Sequence, residues 1–568
     1  MKISAKKNVQ LFINQCINNG LTHVVISPGS RNAPLTISFN QHPKITCLVI
    51  PDERSAAFYA LGMAQQLNRP VALLCTSGSA SVNYYPAITE AYYQRVPLIV
   101  ITADRPHAWI NEGDGQTIVQ QGLFEKHINF EVQIDDSIEN EDYQWYIRKE
   151  TTKAFQAAQA KSQGPVHINF ALTEPLYDTV DLIEEAVSSV VRHEKLATSL
   201  SEQQIESLQL SWASAQKKMI LCGQMRSNSR LLEQLKLLAL DASVVILVEN
   251  TSNLVDSQFI HCIDRTLNSI QENEMKEFAP DIIVNIGGAI VSKRIKSFLR
   301  KHKPKQNWKV SFDFPLMDTF QSMTHSFEMD ETSFFKTLNK VPHNLTSSYG
   351  LDWKKLDLRI QEKVKTFIKD KQNLSDITAF HAILDCIPED SALHLANSSV
   401  VRYAQLFDPI ASVSYWSNRG TSGIDGSTST AAGAAYIKSD KWLTLITGDM
   451  SFFYDSNAFW NHVLTPNFRI ILVNNGGGGI FKIIPGPDTT NELEDFFVFP
   501  NTFQAEAICQ AFNIKYIRAE NLNSINQQME DFYTYEENSR PKLMEIMTSS
   551  VKNELELKDF FEKIALKS

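Results

Sequence analysis

The 568-residue chain has only seven cysteines, spread from Cys16 to Cys509 without a CxxC pair, which excludes a disulfide framework and suits a reducing compartment. No window approaches 18 uninterrupted apolar residues, so no membrane-spanning helix is expected. The opening "MKISAKKNVQLFINQCINNG" is amphipathic and lacks both an apolar h-region and a small-residue cleavage site; it reads as the start of an untargeted, cytoplasmic protein. Positive charge is short as well: the formal net charge of −10 disfavours bulk binding to nucleic acid or anionic membrane, so any anion site must be local. GxSxG, HExxH and GxGxxG are all absent, which removes the hydrolase elbow, the zinc-protease helix and the dinucleotide fingerprint. His23, His42 and His462 have no partner at metal-ligand spacing and read as ordinary histidines.

What is present is a repeated alternation of short apolar runs with helix-period stretches. "THVVISPG", "ITCLVIPD", "VALLCTSG", "PLIVITAD" and "GPVHINFAL" form a first set of candidate parallel strands. "MILCGQM", "SVVILVEN", "DIIVNIGGAI" and "WKVSFDF" form a second, and "SALHLANSS", "WLTLITGD", "RIILVNN" and "KLMEIMT" a third. Polar stretches near 175–215 and 340–375 separate the sets. The expected fold class is α/β, three doubly wound parallel-sheet domains with bounds 1–182, 195–345 and 355–568. The closing "KNELELKDFFEKIALKS" predicts an amphipathic helix packed on the last domain.

In "LITGDMSFFYDSNAFW", the strand ends at Gly448-Asp449 where a helix begins, the usual ligand crevice of an open α/β sheet. The intervening segment predicts a helix over "SNAFWNHVL", a turn at Pro466-Asn467 and a strand that returns Asn475 of "ILVNNGGGGIF" to the side of Asp449. One carboxylate, one amide oxygen and nearby carbonyls suit Mg2+ bridging to a diphosphate. A helix N-cap accounts for Asp449 equally well when that residue is taken alone; the spaced pair favours the metal. Glu53 in "CLVIPDERSAAFYALGMAQ" sits just past a strand, in the first turn of a helix, where a dipole-favoured capping acid is the plain alternative.

The GD dipeptide followed some 25 residues later by NN resembles the signature of the thiamine-diphosphate enzyme superfamily, with Met450 as a departure. "ISPGSRNAPL", "DERSAAFYALGMA", "TSGSASVNYYPAITEA", "ITADRP", "SNRGTSGIDGSTSTAAG" and "GDMSFFYDSNAF" together resemble the 2-succinyl-5-enolpyruvyl-6-hydroxy-3-cyclohexene-1-carboxylate synthase family of menaquinone biosynthesis. The resemblance implies pyrimidine-binding, central and diphosphate-binding domains in that order, with sites between subunits of a homodimer or homotetramer. It implies decarboxylation of 2-oxoglutarate on thiamine diphosphate and 1,4 addition of the succinyl carbanion equivalent to isochorismate.

Carried over motif by motif, the resemblance makes Glu53 the partner of the cofactor pyrimidine, promoting its imino tautomer, and places Gln116 and Arg31 beside it as catalytic residues. Ser398, Ile424, Gly448, Asp449, Met450, Ser451 and Asn475 bind the cofactor, Ile424 as the wedge that bends it. Asp449, Asn475 and Gly477 hold Mg2+ or Mn2+. Ser30, Arg31, Arg105, Gln116, Lys293, Arg294, Ser398, Arg402, Arg419 and Ile480 meet the substrates. Arginines set among Gly, Ser and Asn in an acidic chain independently suit dicarboxylates, because the guanidinium fork pairs bidentately with carboxylate; for any single one, a surface ion pair is the plain reading. For Ile424 and Ile480 it is core packing. "NEGDGQT" offers a second GD without a following NN and reads as a mobile turn carrying Gln116, with Asp114 where the family more often has alanine. Two other readings stay open: a different 2-oxoacid decarboxylase or carboligase of the superfamily, and a noncatalytic ligand-binding relative.

Overall fold

The computed structural model describes residues 2–181, 191, 194, 199–484, 486–535 and 539–565. Three parallel sheets take their strands from residues 23–171, 218–327 and 392–547. The expected boundary near 182–195 lies mostly outside the described residues. An antiparallel pairing of Lys2–Ser4 with Thr179–Asp181 ties the N-terminus to the segment leaving the first sheet.

The central strands are the continuous apolar runs of the sequence. Val71–Cys75, Leu98–Asp104 and Phe468–Asn474 are buried along their whole length, as strands must be when helices cover both faces of a parallel sheet. Edge strands are shorter or half-polar. Glu131–Asp135 alternates buried and half-buried residues, and Ser414–Trp416 is three residues long.

The first and third sheets share one topology. In the first, the spatial order is Thr46–Val49, His23–Ile26, Val71–Cys75, Leu98–Asp104, Val166–Ala171, Glu131–Asp135. In the third it is Ser414–Trp416, Ala392–Leu395, Leu443–Gly448, Phe468–Asn474, Lys542–Met547, Lys515–Ala519. Numbered within each domain, both read 2-1-3-4-6-5, with the switch point between strands 1 and 3. The central domain differs, with five strands in the order Val244–Val248, Lys218–Cys222, Ile282–Ile286, Gln306–Val310, His325–Phe327.

The helices that follow strand 2 in the two matching domains, Glu53–Leu67 (α1) and Ser427–Ile437 (α2), pack directly on each other. Glycines let their backbones touch: a Cβ on Gly62 would overlap the Thr430 carbonyl oxygen, and one on Gly433 the Tyr59 carbonyl oxygen. One apolar core therefore runs from Val71, Leu73 and Phe58 across to Leu445, Ile470 and Leu543.

The helix expected over "SNAFWNHVL" does not form. A six-residue helix, Asp449–Tyr454, is followed only by a 3-10 turn at Ser456–Phe459. Asp455 is drawn inward instead, accepting hydrogen bonds from Ser429 N and Oγ at 2.7 and 2.8 Å and so capping α2. Asn461 Oδ1 then takes the Val463 N–H at 2.9 Å, and Pro466 prevents continuation. The C-terminal helix forms as expected over Ser550–Ile564, burying Leu557, Phe560 and Ile564 against the helices Tyr349–Lys369 and Asp376–Leu384.

Gly62→Ala is expected to cost at least about 1–3 kcal/mol through overpacking at the helix crossing, read as a lowered thermal midpoint. An equal loss from Gly433→Ala would identify the contact as the common cause.

Candidate active site

Two clusters of residues lie at the two matching switch points. At the first, the turn after His23–Ile26 approaches the end of Val71–Cys75. Arg31 N donates to Thr76 Oγ1 at 3.3 Å, and a Cβ on Gly29 would collide with the Thr76 side chain. Arg31 is buried, donating through Nη1 to Leu172 O at 2.9 Å and pairing with Glu174 at 3.3 Å; its Nε is buried without a partner. Ser30 is exposed and shares a hydrogen bond with Tyr177 at 2.9 Å. Arg105 pairs with Asp114 at 2.6 Å and donates to Gly115 O at 3.0 Å. Gln116, exposed and left-handed at φ 57°, backs onto Gly78. The unusual Asp114 therefore tethers its loop through Arg105.

Glu53 is the first residue of α1, yet it does not cap it. Asp52 does, accepting from Ser55 N at 2.9 Å and from Asn457 Nδ2 at 2.7 Å. Among the described residues no side chain pairs with the Glu53 carboxyl, which is half-buried, and burial raises its pKa above the usual carboxylate value. The capping alternative is thereby assigned to the neighbouring residue.

At the second switch point, Asp449 is 3% exposed and accepts hydrogen bonds from Met450 N at 2.8 Å and Gly477 N at 2.6 Å. Burial pushes its pKa up to about 6, with the nearby Asp376 carboxylate acting in the same direction. Of the paired asparagines only Asn475 serves the crevice. Asn474 is structural, donating to Glu545 at 2.7 Å and Phe503 O at 2.8 Å. Asn475 donates its Nδ2 to Asp376 at 3.2 Å, which leaves its Oδ1 buried and without a partner. An unsatisfied buried amide oxygen is costly, and a cation that it ligates removes the cost. Gly477, at φ 143°, has no room for a Cβ, which would lie 2.6 Å from the Val498 carbonyl oxygen. Carboxylate, amide oxygen and the Gly477 carbonyl make an all-oxygen donor set that fits Mg2+ or Mn2+. No group of three or more His, Cys, Asp or Glu that could hold a metal occurs among the described residues.

The remaining expected residues belong to the third and central domains. Ser398 ends the first strand's turn in a strained conformation, φ 72° and ψ −126°, a common mark of a functional position. The Ile424 carbonyl accepts from Ser451 Oγ at 2.7 Å, joining two of the residues expected to bind the cofactor. Gly448 precedes the helix, and Met450 and Ile480 are half-buried. Arg419 is buried, donates to Asn397 Oδ1 at 2.8 Å, and has its pKa lowered by burial and by Arg402. Arg402 reaches Val291 O at 3.4 Å. The Nε atoms of both arginines are buried without partners. Lys293 and Arg294 are exposed at the start of the helix Lys293–Lys301, with the Arg294 guanidinium 4.5 Å from the centre of the Phe561 ring.

Three further contributors come into view only through the fold. Glu90, 1% exposed on the helix Tyr85–Gln94, accepts Gly420 N at 2.7 Å and Thr421 N and Oγ1 at 2.6 Å each. It thus anchors the Arg419 loop from the first domain. Glu249, pushed up to about 7 by burial, holds Val291 N and Ser292 N at 2.8 Å. Lys296 is half-buried, with Glu249, Arg419 and Arg402 among its charged neighbours. A glutamate in "AITEAYYQ" carries no sequence signal for such an anchor.

Residues 6–129 match the family described as thiamine pyrophosphate enzyme, N-terminal TPP binding domain. Residues 187–395 match the middle domain of thiamine pyrophosphate, and 398–546 the C-terminal TPP binding domain. A 2-succinyl-5-enolpyruvyl-6-hydroxy-3-cyclohexene-1-carboxylate synthase of Flavobacterium johnsoniae is 42% identical over 559 residues, covering 98% of each chain. The chain belongs to this synthase family. Relatives of the same name from Cytophaga hutchinsonii, 38% identical over 96% of this chain and 97% of theirs, and Bacteroides thetaiotaomicron, 37% identical over 99% and 100%, extend the match. As a member of the synthase family the chain is a thiamine-diphosphate-dependent enzyme using a divalent metal, which agrees with the oxygen donor set at Asp449 and Asn475. Among the described residues no helix is long and apolar enough to cross a membrane.

Glu90→Ala strands the Gly420 and Thr421 N–H groups and is expected to cost at least about 2 kcal/mol. Denaturation monitored by circular dichroism checks this, with Glu90→Gln expected to lose less.

Proposed function

We propose that this enzyme decarboxylates 2-oxoglutarate and adds the succinyl unit 1,4 to isochorismate, releasing CO2 and forming the product for which its relatives are named, as a cytoplasmic step of menaquinone biosynthesis. The observation that supports the substrate class is the grouping of Arg402 with Arg419, close enough for Arg402 to lower the Arg419 pKa, each with a buried Nε that has no partner. Carboxylates fill such donors, and both substrates carry two.

When bound, thiamine diphosphate supplies the nucleophilic carbon and the electron sink for decarboxylation. Asp449, Asn475 and Gly477 would hold the metal, and Gly448, Met450, Ser451, Ser398 and Ile424 would line the seat of the cofactor. Glu53, free of capping duty, holds a proton at the pyrimidine ring. Arg402, Arg419, Lys293 and Arg294 would receive substrate carboxylates from the third and central domains. Ser30, Arg31, Arg105 and Gln116 would do so from the first, where Gln116 and Arg31 also steady the reacting carbons. As the resemblance to the family implies, the complete site takes its first-domain half from a second copy, in a homodimer or a tetramer built from dimers. The domain limits that match this division are 1–182, 195–345 and 355–568.

With 2-oxoglutarate, isochorismate, the cofactor and Mg2+, mass spectrometry is expected to show a succinylated adduct, absent when pyruvate replaces 2-oxoglutarate. A pyruvate-only product would reassign the substrate, and no cofactor binding would reassign the chain to a noncatalytic role. Glu53→Gln is expected to lower turnover about 10²–10⁴-fold. Mixing subunits carrying Glu53→Gln with subunits carrying Asp449→Ala is expected to restore about a quarter of wild-type activity, because half of the random dimers carry one intact shared site. No recovery would place each site within one chain.

A further inference from the structure

We propose that Asp376 is the positioning residue that aims the Asn475 amide oxygen at the metal, an inference that rests on the cofactor reading above. Asp376 begins the helix Asp376–Leu384, which is capped by Ser375, and is 2% exposed. Its two carboxylate oxygens are both engaged: Oδ1 accepts from Thr548 Oγ1 at 2.6 Å and Oδ2 from Asn475 Nδ2 at 3.2 Å. Its backbone N–H donates to Asn553 Oδ1 at 2.8 Å, and Asn553 Nδ2 donates to Thr548 Oγ1 at 3.3 Å. Thr548 N in turn bonds to Asn474 O at 2.9 Å. The carboxylate is thereby fixed by three elements, namely its own helix, the end of the strand Lys542–Met547 and the C-terminal helix.

The consequence for Asn475 is directional. Burial raises the Asp376 pKa, but both its oxygens accept here, from Thr548 Oγ1 and Asn475 Nδ2, whereas a carboxamide has one donating and one accepting edge. Asp376 therefore selects the NH2 edge and turns the oxygen away, leaving it buried and unpartnered, two residues before the Gly477 N–H that Asp449 holds at 2.6 Å. A half-turn of the amide would present N–H groups to a cation. Asp376 would then act through the orientation of a ligand rather than as a ligand itself.

The test is the apparent affinity of the full-length chain for Mn2+ in the presence of thiamine diphosphate, read from the electron paramagnetic resonance signal of free Mn2+. The isosteric Asp376→Asn variant can donate to Asn475 and reverse its amide, and is expected to bind Mn2+ about 10–100-fold more weakly. The exchanged pair, Asp376→Asn with Asn475→Asp, is expected to regain affinity, because a carboxylate at 475 offers oxygen on both edges. The recovery counts only insofar as it exceeds the tightening that Asn475→Asp alone gives with Asp376 in place, since a carboxylate ligand strengthens the site by its charge whatever Asp376 does. Asp376→Asn binding within about twofold of wild type would overturn the proposal, as would an exchanged pair no tighter than the single variant. If the single variant does not fold, the exchanged pair decides against Asn475→Asp alone: binding at least as tight supports the proposal, and weaker binding overturns it. Wild-type protein that takes up no Mn2+ with the cofactor present would overturn the cofactor reading, and this inference with it.

Discussion

The backbone contact between α1 and α2 at Gly62 and Gly433 is the constraint that sets how the first and third domains of one chain sit against each other. Each helix starts at a functional turn: Glu53 opens α1, and the loop bearing Arg419 and Ile424 leads into α2. Close approach of the two backbones fixes the spacing of these turns, and Tyr59, Asp52 and Arg54 add hydrogen bonds to Ala458 O, Asn457 and Tyr454 O. Interiors packed at crystal-like density transmit such a constraint without slack.

The matching 2-1-3-4-6-5 order of the first and third sheets gives that contact a further meaning. Both domains end strands 1 and 3 at a crevice, yet they furnish it differently. The first supplies cations and a lone carboxyl, the third an oxygen-rich corner with its own arginines. Buried acids hold the loops that carry the arginines: Glu90 braces the Arg419 loop, and Glu249 accepts from the Val291 and Ser292 N–H groups just before the helix that carries Lys293 and Arg294. The charges of the site are thus held by backbone N–H groups as much as by one another.

The continuous apolar strands, the GD and NN turns and the glutamate after Pro51-Asp52 were all legible in the sequence, because central parallel strands and tight ligand turns leave strong local patterns. The topological repeat was not, since it lives in strand order and leaves no shared period. Glu131–Asp135, Ser414–Trp416 and Lys515–Ala519 escaped because edge strands are short or half-polar. The failed helix after Asp455 shows tertiary bonding overriding propensity. Sequence separation also hides relationships: Asp376 meets Asn475 from 99 residues away, and Glu90 meets Gly420 from 330. Nor could local pattern decide which member of Asp52-Glu53 caps the helix, since both are acids that suit a first turn.

The Arg105–Asp114 pair sets a threshold for what the crevice admits. An internal carboxylate on a short loop competes at an effective concentration in the millimolar range or above, so a singly charged anion that merely replaces it gains little. Any anion that engages Arg105 must first displace the Asp114 carboxylate, and so must free the loop that carries Gln116.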